Sequence, residues 1–304
     1  MNTGRVEVDV LCVGHACFDL VFSVKKHPQS DEKIFADNLI GCGGGPAANA
    51  ACAVSRLGLR SAFAGYLGQD LYGEMHLQEF QQHHVDTHLI VRNSSPTPLS
   101  TVLVKPDGKR ALINYKGSTK PLAANAINFS SIKAKAILFD GHEPCLSLAL
   151  VKSARQQGIS TILDAGSMHE GTSQLWNQVD YLVASEKFAC QFAGDVQTAL
   201  KRLAEQAPAV VITLGEKGLI WQRGKQTGKL TAFTVKAIDT TGAGDAFHGA
   251  FAAAVAKDLG WHDLLAYSSA AGSLCCCKIG ARQGLPWQKE HVELYEQKVL
   301  LQTQ

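Results

Sequence analysis

From Ala136 onward, short apolar runs alternate with longer amphipathic ones: strand-like 136–139, helix-like 146–157, strand-like 161–163 and 181–184, helix-like 197–206, and a buried strand at 210–213. Strands apolar on both faces and joined by helical crossovers are what a parallel sheet covered by helices requires. The first strand is predicted at 8–13. Pro46 opens a helical run that stops at Gly58, with proline in the first turn, where its missing N–H costs nothing. Two β-rich stretches break the rhythm, 20–39 and 99–115, the second divided by an Asp107-Gly108 turn signal. Either they build a small antiparallel sheet beside the main one, acting as a lid, or they are two unrelated surface hairpins.

A chain of 304 residues with 46% hydrophobic residues can bury a large core as one main unit. A formal net charge of +2 without a run of basic residues lacks the electrostatic footprint of a nucleic-acid binder. Glu7 and Asp9 flank the first apolar run, which is not the order of a signal peptide, and the apolar stretch 250–256 is too short to span a bilayer. A cytoplasmic protein with no membrane partner is expected. Nine cysteines, three of them consecutive at Cys275, Cys276 and Cys277, match neither a disulfide framework nor a tetrahedral zinc site. Reduced, mostly buried thiols are expected.

The run Asp239-Thr240-Thr241-Gly242-Ala243-Gly244-Asp245 leads into an Ala-rich helix predicted over 246–257. Glycines leave backbone N–H groups uncovered, and at a helix N-terminus these donors and the positive end of the dipole attract an anion such as a transferring phosphoryl group. Asp245 has two readings: a cap for orphan N–H donors, or a base that accepts the proton of an attacking hydroxyl. The bracketing glycines favour the base, because a carboxylate set against an anion site is repelled unless the reaction uses it.

A second glycine run, Gly41-Cys42-Gly43-Gly44-Gly45-Pro46-Ala47-Ala48-Asn49, precedes the helix that Pro46 opens. A dinucleotide fingerprint needs its glycines directly after the first strand and an acidic ribose ligand beyond, so an NAD-dependent oxidoreductase is a weak reading. Consecutive glycines permit a hinge and close ligand approach, and Asn49 can bond hydroxyls; packing is the alternative. No Gly-x-x-x-x-Gly-Lys-Ser/Thr sequence occurs, so phosphate must be held without a P-loop.

Together these two runs resemble the signatures of the ribokinase-like (PfkB) carbohydrate kinases. The similarity extends over essentially the whole chain through 14–19, the loop Thr213-Leu214-Gly215-Glu216-Lys217-Gly218 and Gly280-Ala281-Arg282. The resemblance implies one three-layer α/β/α kinase domain over 1–304, with a mostly parallel central sheet. A β-sheet lid from 20–39 and 99–115 would close over the sugar and build a homodimer. It implies ATP and magnesium, with Asp245 as base and Gly242, Ala243 and Gly244 as the anion hole. Asp19, Gly43, Gly44 and Asn49 match sugar contacts, and Thr213, Gly215, Gly218 and Thr240 match the ATP side. Asp239 and Thr241 match two positions around a potassium ion.

The family's usual Asn-x-x-Glu is here Ser185-Glu186-Lys187-Phe188. The usual glutamate is absent, and Ser185 and Glu186 are the candidate substitutes, Glu186 being equally readable as a solvated helix charge. Ser185-Glu186, the Gly-Gly-Gly-Pro-Ala-Ala segment, Ile113-Asn114-Tyr115 and 280–286 look closest to the sulfofructose kinase branch, with ketohexokinase further off. There a lysine, an asparagine and an arginine bind the sulfonate; Lys33 and Asn114 stand at the first two places and His142 at the third. An imidazole, with a pKa of about 6.5, grips a tetrahedral anion less firmly than a guanidinium fork, and His142 also reads as a structural histidine. A ketose-type sugar or sulfosugar is the expected substrate. The alternatives are a sugar-binding or regulatory homologue that lost catalysis and, less favoured, a nucleoside kinase.

Overall fold

The computed structural model of the chain describes residues 6–130 and 132–302. Along it run β1 (Val6–Glu7), β2 (Val10–Val13), β3 (Cys17–Ser23), β4 (Asn38–Gly44), α1 (Pro46–Arg56), β5 (Ser61–Gly68), α2 (Leu71–Gln82), β6 (Val85–Asp86), β7 (Ile90–Asn93), β8 (Leu99–Val104) and β9 (Arg110–Tyr115). Then follow β10 (Ile132–Lys133), β11 (Ala136–Phe139), α3 (Pro144–Gln156), β12 (Ser160–Ala165), α4 (Glu170–Leu175), β13 (Tyr181–Ser185), α5 (Glu186–Ala193), α6 (Val196–Ala204) and β14 (Ala209–Thr213). The remainder comprises β15 (Leu219–Arg223), β16 (Gln226–Leu230), α7 (Ala243–Ala256), α8 (Trp261–Cys275), α9 (Ala281–Gly284) and α10 (Gln288–Gln302).

The main sheet has the order β16-β15-β14-β13-β12-β11-β2-β5-β6, with β7 also paired to β5. From β14 through β6 every pairing is parallel, while β15 and β16 extend the edge as an antiparallel hairpin. Side chains alternate along each strand, and both faces are apolar. Val10 and Cys12 of β2 and Ala136 and Leu138 of β11 join one buried cluster with α1, α7 and α8. Leu11, Val13, Ile137 and Phe139 join the other with α3 and α6. Three layers result, as the alternating runs predict. The chain moves from β2 to β5 in one direction and returns to β11 on the other side. Such a reversal opens a crevice at the C-terminal strand ends, where Gly14 and Asp140 lie.

Four strands stand apart in the order β4-β3-β8-β9. The expectation of an antiparallel sheet is corrected in one respect: the inner pair β3 and β8 runs parallel, because two antiparallel hairpins are joined side by side. Strand β3 also starts at Cys17, earlier than the sequence pattern placed it, and 24–37 is the connection between β3 and β4. Register aligns Cys42, Asp19, Ser100 and Asn114 across the four strands in one row. That row is the polar floor of the site described below.

Among the described residues no helix is long and apolar enough to cross a membrane. All nine cysteines are free; Cys12, Cys17, Cys42, Cys52 and Cys275 are buried, whereas Cys145 and Cys190 are exposed.

Candidate active site

The turn into α7 is built around a glycine that no other residue replaces without strain. Gly242 is the N-cap with φ 79°, and a Cβ there would lie 2.6 Å from Ala281 Cβ. The buried Asp239 fixes the turn: its Oδ1 accepts from Thr241 N at 2.9 Å and Thr241 Oγ1 at 2.7 Å, and its Oδ2 accepts from Gly280 N at 2.8 Å. No side chain caps α7. Ala243 N donates to Thr240 O at 3.3 Å, but the N–H groups of Gly244 and Asp245 have no acceptor among the described residues. Uncovered donors at the positive end of a helix form a site for anionic oxygen.

Two cavities, each of about 470 Å³, meet this turn from opposite sides. Thr240, Ala243 and Gly244 line the first. Thr241, Gly242 and Asp245 line the second. Residues 240–245 are therefore the partition between them.

The second cavity is floored by Asp19, Ser100 and Asn114 from the small sheet, and Asn49 enters from α1. Ser100 Oγ donates to Asn114 Oδ1 at 2.6 Å, and Cys17 Sγ donates to Asp19 Oδ1 at 3.2 Å. Burial raises the Asp19 carboxyl above its ordinary range. Asn49 Nδ2 donates to Asp245 Oδ2 at 2.6 Å. Asp245 is pushed up to about 7, first by burial and then by the charge of Asp164, against the pull of the Asn49 hydrogen bond. Behind it, His248 Nδ1 lies 2.6 Å from Gly244 O and 3.2 Å from Asp164 Oδ2. Burial, with Asp140 nearby, drives Asp164 up to about 8. A carboxyl poised near neutrality and facing a cavity is suited to proton transfer.

Basic side chains line the rest of that cavity: His15, Arg110, Lys116 and His142. The His142 ring stacks on His169 at 4.6 Å between centroids and is tilted against His15 at 5.3 Å. Burial and the His142 neighbour lower His15 to about 4, and the same two causes lower His169. Permanent positive charge therefore comes from Arg110 and Lys116. Arg110 Nη1 also donates to Thr241 Oγ1 at 2.6 Å, tying β9 to the partition.

The first cavity is lined by the β14–β15 connection (Thr213, Gly215, Glu216, Gly218), by 232–237, and by Ser269, Gly272 and Ser273 of α8 with Cys276 beyond it. Its walls are mostly apolar atoms and backbone, which suits a flat aromatic ring ending at the uncovered amides.

Most of the residues singled out from sequence converge here. Asp19, Asn49, Asn114, His142, Thr241, Gly242 and Asp245 meet in the second cavity. Thr213, Gly215, Gly218, Thr240, Ala243 and Gly244 meet in the first. Others do not arrive. Lys33 lies in the 24–37 connection, exposed, with Nζ over the Phe35 ring at 5.8 Å. Gly43 and Gly44 line neither cavity; they leave room for neighbours. A Cβ on Gly44 would fall 2.2 Å from Asp19 Oδ2, and one on Gly43 would fall 2.6 Å from His76. The left-handed glycine of that run is Gly45, at φ 99°. Ser185 caps α5, accepting from Phe188 N at 3.0 Å and donating to Gly166 O at 2.8 Å, and Glu186 opens that helix. Neither lines either of these two cavities. Asp239 spends its carboxylate on the turn itself, as described. Sequence reasoning missed His15, Arg110 and Lys116. It also missed the α8 wall, although Ser269, Gly272, Ser273 and Cys276 show one-sided helical spacing.

With this geometry in hand, comparisons with known proteins become informative. The family model described as pfkB family carbohydrate kinase matches residues 8–288. A fructokinase-2 of Oryza sativa subsp. japonica is 30% identical over 274 residues, covering 80% of this chain and 82% of its own. A ribokinase of Haemophilus influenzae is 26% identical over 291 residues, covering 91% and 95%. The structure of Arabidopsis thaliana ribokinase complexed with ribose and ATP superposes with a TM-score of 0.83 at 23% identity, covering 96% and 99%.

Proposed function

Since the chain belongs to the pfkB family of carbohydrate kinases, we propose that it transfers the γ-phosphoryl group of ATP to a hydroxyl of a small sugar, with Asp245 as the general base. The observation that carries this reading is the partition at 240–245, in which Asp245 faces one cavity while Gly244, with its uncovered amide, borders the other. The nucleotide takes the first cavity and the sugar takes the second. Asp245 accepts the proton of the attacking hydroxyl as its oxygen bonds to phosphorus and the bond to the departing ADP oxygen breaks. The N–H groups of Gly244 and Asp245 hold the negative charge of the transferring group.

Magnesium arriving with the nucleotide would neutralise phosphate charge. The carboxylate of Asp239 already holds three donors, so a potassium ion at this turn would rely on backbone oxygens. Asp19, Asn49, Ser100 and Asn114 offer the donors and acceptors a polyol needs. Arg110 and Lys116 favour a ketose-type sugar that carries an acidic substituent, a phosphate or a sulfonate.

In this reading the small sheet is the lid. Leu39 and Ile113 on it and Phe35 in the adjoining 24–37 connection are exposed, and we assign this surface to a homodimer in the cytoplasm; a monomer in light scattering at micromolar concentration would exclude that assembly. The functional test is ATP consumption with magnesium across ketoses, phosphoketoses, sulfosugars, aldoses and nucleosides. Turnover of a sugar is expected, and Asp245→Asn should lower it about a thousandfold while both ligands still bind. Failure of the whole panel would leave a sugar-binding homologue. Near-normal turnover in Asp245→Asn would remove Asp245 as the base.

A further inference from the structure

One fully buried cation takes no part in the reading above. Arg282 of α9 is 1% exposed, although no arginine is needed to hold a four-residue helix. Its Nε donates to Asn49 Oδ1 at 3.1 Å, its Nη1 to Cys52 Sγ at 2.8 Å, and its Nη2 lies 3.2 Å from His76 Nε2. Glu79 Oε1 stands 3.8 Å from Nε, and the guanidinium sits 5.5 Å above the Phe80 ring.

A guanidinium only donates, so the Asn49 atom it meets must be the oxygen, and the amide nitrogen is turned the other way. That nitrogen is the one 2.6 Å from Asp245 Oδ2. Were the amide to rotate by half a turn, its oxygen would face the carboxylate and its nitrogen would face a cation. Both contacts would become repulsive. The orientation is therefore held from both sides, and the Arg282 side holds it even when Asp245 is protonated and could donate to a rotated amide oxygen.

We propose that Arg282 is a positioning residue that locks the Asn49 amide so that it donates to Asp245. The inference rests on the reading of Asp245 as the base, but the lock itself is a property of three side chains that can be measured without turnover. The charged and titratable groups facing Asp245 are Asp164 from β12, His248 from α7, Asp19 from β3 and Cys275 from α8. Those facing Arg282 are Glu79 and His76 from α2, Asp19 from β3, Cys42 from β4, Cys52 and Arg56 from α1, and His83 just after α2. Arg282 also acts on Asp19, which in turn faces Asp245, so the cycle below separates a route through Asn49 from one through Asp19.

The experiment is a double-mutant cycle read by the ¹³C carboxyl titration of Asp245, assigned by its loss in Asp245→Asn. Asn49→Ala removes the donor and should raise the midpoint by about one pH unit. Arg282→Met should raise it by a similar amount, and the double variant should match Asn49→Ala alone. Two shifts that simply add, or an unshifted midpoint in Arg282→Met, would overturn the proposal and leave Arg282 as a packing residue. If Arg282→Met does not fold, Arg282→Gln, which can accept as well as donate and so no longer dictates which Asn49 atom it meets, replaces it in the same cycle under the same criterion. A wild type without turnover on the sugar panel would sink the kinase reading and leave this titration result standing.

Discussion

The two cavities have the same volume and share one wall, yet they are made of different things. The second is walled by side chains whose identity is the chemistry: Asp19, Asn49, Asn114, Arg110, Lys116 and Asp245. The first is walled by backbone and by apolar or small residues, with Phe233, Phe247, Gly218 and Gly272 contributing shape and Glu216 the one carboxylate. A sugar differs from its competitors by single hydroxyls and substituents, so its site must be written in directed polar groups. A nucleotide offers a flat ring and a chain of phosphates, for which an apolar slot ending at helix amides suffices.

Substitutions can break that contrast at three levels. The largest effect belongs to the shared wall. Gly242→Ala forces a Cβ within 2.6 Å of Ala281 at a positive φ, so the partition must move. Turnover should fall about a hundredfold, since a displacement near an ångström of reacting groups costs that much. Equal kinetics in this variant would mean that the turn is not where transfer occurs. Smaller and opposite effects are expected on either side. Ser273→Phe, filling the first cavity from α8, should raise the KM for ATP about tenfold and leave the sugar KM unchanged. Asn114→Ala, which strips an amide bonded to Ser100 at 2.6 Å, should raise the KM for the sugar about fivefold and leave that for ATP unchanged. Crossed effects would dissolve the division of labour.

The same contrast explains what could be read without coordinates. The parallel core was legible because β2, β11, β13 and β14 are apolar on both faces and helices follow at crossover spacing. The partition was legible because a glycine pair bracketed by aspartates in 239–245 has few structural uses. What escaped depended on tertiary placement. Gly43 and Gly44 signalled a glycine requirement correctly but not its cause, which is the space needed by Asp19 and His76 rather than contact with a ligand. Lys33, expected at a sulfonate contact from the resemblance, stands exposed in the 24–37 connection, where no periodicity tells which way side chains point. Arg110 opens β9 and Lys116 follows it, and both reach the cavity only through the β3–β8 register, a pairing between segments far apart in sequence. Ser185 was singled out because it stands where the family has the asparagine of Asn-x-x-Glu, and in the structure its hydroxyl caps α5.

The central claim is that Asp245, held up at about 7 by burial and by Asp164, takes the hydroxyl proton. A base acts only when ionised, and its raised affinity for the proton moves the loss of activity upward: below the midpoint the carboxyl is neutral and cannot accept, and above it the carboxylate is available. Most directly, kcat/KM for the sugar, followed between pH 5.5 and 9 at saturating ATP, reports the essential groups of the ATP-bound enzyme before the sugar arrives. The account predicts a rise through a midpoint near pH 7. A profile that stays flat down to pH 5.5 would contradict it.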